Sequence, residues 1–122
     1  MTSEWIKVCK TDDILPNCGA AALVSGLQVA IFRVNSDFYA ISDYDPFSKA
    51  YVLARGIIGD RGGVIKVSSP IYKQSFSLQT GECLDDPSMK LPTYPVQVMD
   101  DEVYILIQTQ EENVHAYQTV FS

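Results

Sequence analysis

Short apolar segments alternate with turn residues along this chain, and the apolar spacing nowhere settles into a helical period. Residues 5–9 carry the apolar and polar alternation of a half-buried strand. A polar loop holding Pro16, Asn17 and Gly19 follows. Residues 20–24 and 27–34 bracket Ser25-Gly26, and Asn35-Ser36-Asp37 separates the second of these from residues 38–41, which predicts two successive hairpins. Further along, Gly62-Gly63 precedes residues 64–67, Thr80-Gly81 separates 75–78 from 82–84, and Asp100-Asp101 joins 96–99 to 103–107. Gly and Asp tolerate the positive φ of tight turns, so each signal has a mechanism. The glycine-rich stretch 55–63 is expected to form turns, since no amphipathic helix follows whose N-terminus would hold a phosphate. The regular spacing predicts an all-β fold, an antiparallel sandwich or barrel.

Composition narrows the function classes. At 122 residues the length fits one domain, able to bury roughly two thirds of its unfolded surface in a single core. Cys9, Cys18 and Cys83 are odd in number and lack C-x-x-C spacing, so neither a disulfide framework nor a zinc site is encoded. Reduced thiols in the cytoplasm are expected. No apolar run approaches the ~18 residues of a spanning helix, which argues against a membrane. A net charge of −6 leaves no basic stripe for phosphates, which argues against nucleic acid. The single histidine, His115, lies in a tail, and no nucleophile, P-loop, dinucleotide or zinc-protease motif occurs. No catalytic residue is therefore expected.

Two segments carry most of the information: DYDPFSKA from Asp43 and SSPIYKQSFSLQTGE from Ser68. Their layout resembles the two cluster-binding loops of Rieske proteins, which read C-P-H and C-P-x-H because a Rieske [2Fe-2S] centre takes two thiolates on one iron and two imidazoles on the other. Here the aligned residues are Asp45-Pro46-Phe47 and Ser69-Pro70-Ile71-Tyr72. Both prolines are present and all four ligands are replaced. Together with WIKVCKTDDILPNCGAAAL, QVAIFRV and YAISDYDPFSKAYVLARGIIGD, this pattern resembles the small subunit of assimilatory NAD(P)H-dependent nitrite reductase, a Rieske-like protein without its cluster. The resemblance covers residues 1–108 as one domain and leaves 109–122 as a tail.

That resemblance implies a Rieske-like β-sandwich whose smaller strand subdomain carries the two degenerate loops. It also implies a cytoplasmic, non-catalytic chain with no cofactor of its own. The expected partner is a large subunit with FAD, an iron–sulfur cluster and sirohaem, and the assembly reduces nitrite to ammonium. Asp45 and Ser69 offer only oxygens, Phe47 has no donor and Tyr72 is a poor ligand unless deprotonated, so a [2Fe-2S] cluster is not expected. Asp43 and Asp45 read as caps of their own turn rather than a cation site. Tyr44, Phe47, Tyr51, Ile71, Tyr72 and Lys73 are the interface candidates. Two readings of them stand open: side chains such as Phe47 and Tyr72 fill the metal's place and pack one loop on the other, or the aromatic tips anchor a partner. Lys73 and Gln74 stand where cluster-bearing relatives often have glycine and an aromatic. In the tail, Val114, Tyr117 and Phe121 would line one face of a short helix, against the default of a frayed end. The rival classes are an electron-passing ferredoxin and a free-standing binding module.

Overall fold

The structure, a computed structural model, describes residues 2–109. Twelve strands form four antiparallel sheets among these residues. The middle layer is a four-stranded sheet in the order β10-β4-β3-β2, built from β2 (Cys18–Val24), β3 (Leu27–Val34), β4 (Asp37–Ser42) and β10 (Thr93–Tyr94). The two expected hairpins make most of it, with Val24 opposite Leu27 and Val34 opposite Asp37. In the first turn Ser25 and Gly26 both take positive φ, as the right-handed twist of the flanking strands requires of a two-residue connection.

The run Val29-Ala30-Ile31-Phe32 in β3 has no polar position, and all four residues are buried. A strand without alternation is one covered on both faces. Val29 and Ile31 point into one core with Ile14, Val24, Ala40, Ile105 and Ile107. This core lies between the middle layer and a sheet of order β1-β12-β11, formed by β1 (Thr2–Lys10), β11 (Val96–Met99) and β12 (Glu102–Thr109). A register shift between Lys7 and Cys9 bends β1. As a result Ile6, Val8 and Cys9 all pack against that core, although strict alternation would divide them between faces.

Ala30 and Phe32 point the other way, into a second core with Ile41, Leu53, Val67, Phe76, Leu78, Cys83 and Leu91. Covering that core is the sheet β7-β8-β9, made of β7 (Ile57–Arg61), β8 (Val64–Ser68) and β9 (Ser75–Ser77). A two-stranded ribbon, β5 (Tyr44–Asp45) with β6 (Ala50–Tyr51), completes the subdomain. Each large side chain fully buried in these cores is worth about 1.5–3 kcal/mol.

Three expectations change. Residues 55–63 form mostly strand β7 rather than turns, because Gly59 pairs with Lys66 in a regular ladder and only Gly62-Gly63 turns. Residues 82–84 contribute only isolated bridges, Phe76 with Cys83 and Glu82 with Lys90. The 3-10 turn at residues 53–55 was not anticipated. It ends at Gly56, where a Cβ would stand 2.4 Å from the Ser68 carbonyl oxygen, so the backbones approach too closely for any other residue. The cysteines are free thiols. No described helix is long and apolar enough to cross a membrane. Val114, His115, Tyr117 and Phe121 lie outside the described residues, as do the expectations that rest on them.

Candidate functional site

The two degenerate loops belong to the subdomain: residues 45–49 run from the last residue of β5 to the start of β6, and residues 69–73 follow β8. Both fold the same way locally. In the first, the Phe47 amide donates to Asp45 Oδ1 at 2.9 Å and the Lys49 amide to the Asp45 carbonyl at 2.7 Å. In the second, the Ile71 amide donates to Ser69 Oγ at 3.3 Å and the Lys73 amide to the Ser69 carbonyl at 3.2 Å. The first residue of each turn thus accepts from the third through its side chain and from the fifth through its backbone. Proline at the second position has no N–H to leave unpaired, which is one physical reason both prolines fit.

The fifth residues, Lys49 and Lys73, close the turns with φ of +59° and +69°. Left-handed backbone is open to glycine but costs an L-residue about 1 kcal/mol, so each turn holds a lysine in a conformation that lysine does not prefer.

One contact joins the loops. Ser69 Oγ donates to Asp45 Oδ2 at 2.5 Å, across 24 positions of sequence, and both residues are buried. Ser48 Oγ donates to the same oxygen at 2.8 Å. Burial pushes the Asp45 carboxyl up, but the hydroxyls of Ser69 and Ser48 and the amides of Phe47 and Ser48 together outweigh it and hold the group below the usual carboxylate range. Asp45 is therefore an ionised, saturated acceptor at neutral pH.

Asp43 fixes the loop's entry. Its Oδ1 accepts from the Ala54 amide at 2.7 Å, and its carbonyl accepts from Val52 and Leu53 at 3.1 and 3.2 Å. The cap reading therefore holds for Asp45, whereas Asp43 caps the distant 3-10 turn. Burial raises its carboxyl, with the Ala54 amide and the Arg55 charge opposing.

The aromatic candidates divide. Phe47 packs against the second core with its ring 6.1 Å from that of Phe76, a tilted pair worth about 1 kcal/mol beyond its burial. Tyr44 and Tyr51 pack as a tilted pair with ring centroids 5.1 Å apart along the ribbon, with Tyr51 exposed. Tyr72 is 59 % exposed and Ile71 45 %, so neither packs one loop onto the other. The expectation that Tyr72 helps fill the space between loops gives way to the Asp45–Ser69 hydrogen bond. Sequence reading named both residues as replaced ligands but missed their bond, and it missed Ser48 and Lys49. The available signal for Lys49 was its fifth place in the first loop, which matches that of Lys73 in the second.

At the root of the second loop, Ser68 and Ser75 face each other on β8 and β9 with their hydroxyls 2.9 Å apart. Lys66 Nζ donates to both, at 2.7 and 3.3 Å. The Ser75 amide donates to Asp85 Oδ2, and Arg61 bridges Asp85 and Ser75. This network pins the loop's return to the sheet.

Arrangement and topology together define a Rieske-like domain: two packed β layers and a smaller strand subdomain whose two proline-bearing loops are joined at their first residues. The chain belongs to the Rieske-like [2Fe-2S] domain family, whose profile matches residues 4–106. Within that family it groups with the nitrite reductase small subunits. It is 46 % identical over 105 residues to the nitrite reductase (NADH) small subunit of Salmonella typhimurium, covering 84 % of this chain and 97 % of that one. The NMR structure of the Escherichia coli protein NirD superposes with a TM-score of 0.82 at 41 % identity, covering 88 % of this chain and all of that one. A stretch amounting to 11 % of the nitrite reductase [NAD(P)H] large subunit of Klebsiella oxytoca is 36 % identical over 101 residues, 83 % of this chain.

The family's [2Fe-2S] cluster does not fit the residues present. Asp45 Oδ2 already takes two hydroxyl donors, Ser69 Oγ is engaged with it, Phe47 is packed on Phe76 and Tyr72 points to solvent. Thiolate and imidazole are absent from all four positions. Among the described residues no group of three or more His, Cys, Asp or Glu side chains is placed to hold a metal ion.

Proposed function

We propose that this chain is the small subunit of a cytoplasmic NAD(P)H-dependent nitrite reductase and that it serves by docking on the large subunit, contributing no electron carrier and no catalytic residue. The observation that carries the reading is the Asp45–Ser69 bond, which stands where a cluster would join the loops and leaves Ile71 and Tyr72 exposed at their end. Exposed aromatic and aliphatic side chains on a rigid turn suit the apolar centre of an interface. The likeness to part of a large-subunit chain also supports it, because a domain of this type encoded within the large subunit is one held against it. The partner is expected to hold FAD, an iron–sulfur cluster and sirohaem, and to carry the reduction of nitrite to ammonium in nitrate assimilation.

Tyr44 and Phe47 brace the loops from below, while Tyr51, Ile71, Tyr72 and Lys73 face the partner. The test is co-expression of the tagged chain with the large subunit, followed by pull-down and an assay of NAD(P)H-dependent nitrite reduction. The expected result is co-purification that Ile71→Ser with Tyr72→Ser weakens at least tenfold without lowering the melting temperature. Free large subunit of full activity and no capture by the wild-type chain would end the docking reading and leave a free-standing binding module as the better account.

A further inference from the structure

The two loops share an unusual charge distribution. The chain carries a net charge of −6, yet Asp43 and Asp45 are buried, and the exposed charges of the two five-residue turns are Lys49 and Lys73 alone. Neither ammonium is in a salt bridge or hydrogen bond among the described residues. Both sit at the fifth position of their turn, and the turns are tied at their first positions by the Asp45–Ser69 bond, so the two lysines close two matching turns that are joined to each other. Both also occupy left-handed backbone that glycine would relax. Side chains held at two matching, disfavoured positions in a stable fold point to a use outside it.

We infer that Lys49 and Lys73 form a basic pair that flanks the apolar tip of Ile71 and Tyr72 and recognises an acidic rim around an apolar recess on the large subunit. The inference rests on the docking reading above and names the chemistry of the partner's face. Complementary charge at the edge of an apolar contact raises the association rate and fixes orientation, and it is screened by salt. The acidic remainder of this chain would disfavour any other approach to a negatively charged face.

The experiment measures binding of the full chain to the isolated large subunit at 50 and 300 mM NaCl, for wild type, Lys49→Gly with Lys73→Gly, and Lys49→Arg with Lys73→Arg. The glycine pair is expected to melt about 3 °C higher, because the left-handed turns relax. It should nonetheless bind about tenfold more weakly at 50 mM, with the gap closing at 300 mM. The arginine pair should retain wild-type affinity. Glycine variants that bind as tightly as wild type at low salt would overturn the inference while leaving docking intact. Wild type that fails to bind at either salt would overturn docking and the inference with it. Salt-sensitive dimerisation of the chain alone, abolished by the glycine pair, would also overturn it, since the acidic occupant would then be a second copy.

Discussion

Replacing Ser69 by alanine removes one oxygen and tests whether the bond between the loops holds the site together. The lost hydroxyl is buried and donates at 2.5 Å to an ionised carboxylate that is itself buried. Hydrogen bonds to charged groups contribute about 1.5–3 kcal/mol, and Asp45 Oδ2 would keep only Ser48 as a side-chain donor. The Ile71 amide also loses its acceptor, but at 3.3 Å and on an exposed residue water replaces it at little cost. We expect a loss of about 2 kcal/mol at pH 7, or about 8 °C in melting temperature for a domain of this size.

The pH dependence adds a second constraint. Asp45 has a folded-state value below its unfolded one, so its contribution is complete above the unfolded value near 3.9 and is lost as pH falls through the lower folded value. Removing Ser69 weakens that depression, so the gap between wild type and Ser69→Ala should be full at pH 7 and shrink as pH falls through the folded-state value of the variant. Urea unfolding of both proteins between pH 3 and 7 measures it. A loss under about 0.5 kcal/mol at pH 7, or a gap that widens as pH falls, refutes the assignment of Asp45–Ser69 as the join.

Other expectations follow from neighbouring contacts. Gly56→Ala should destabilise by about 2–3 kcal/mol in urea unfolding, because its Cβ meets the Ser68 carbonyl at 2.4 Å; a change within 0.5 kcal/mol would mean that the backbones part easily. Asp43 shows the opposite linkage to Asp45. Its raised folded-state value means that it adds stability below the unfolded value near 3.9 and loses it as pH rises through the folded one. Asp43→Asn keeps an acceptor for the Ala54 amide, so stability at pH 7 should hold or rise by about 1 kcal/mol, and a loss above about 2 kcal/mol would show the charge to be favourable. Phe47→Ala should cost about 2 kcal/mol by removing the ring from Phe76, whereas Tyr72→Ala, at an exposed ring, should move the unfolding midpoint by less than about 0.5 kcal/mol.

The β-hairpins were readable because they obey local rules: β2, β3 and β4 lie where the apolar runs and the Ser25-Gly26 and Asn35-Ser36 turns place them. Strand β7 was hidden by its glycines, since Gly59 suggests a turn although its ladder with Lys66 is regular. The two-residue strands β5, β6 and β10 are too short to show a period, and they exist because the loops around them are held by tertiary contacts. At the site, the prolines and the spacing of the two loops were legible. The bond from Ser69 to Asp45 was not, because a hydroxyl and a carboxylate 24 positions apart leave no periodic trace. Nor did sequence separate Phe47, turned inward onto Phe76, from Tyr72, turned outward, since both are aromatic residues at the third or fourth place of a proline turn.

A join made from a carboxylate and a hydroxyl belongs to the polypeptide from the moment it is synthesised. Where two loops are held by a metal cluster, their geometry waits on delivery of iron and sulfide and is exposed to oxidants and chelators. Here two side chains of the chain itself close the loops, so the surface at their end forms with the fold. Such a domain is complete for assembly as soon as it has folded.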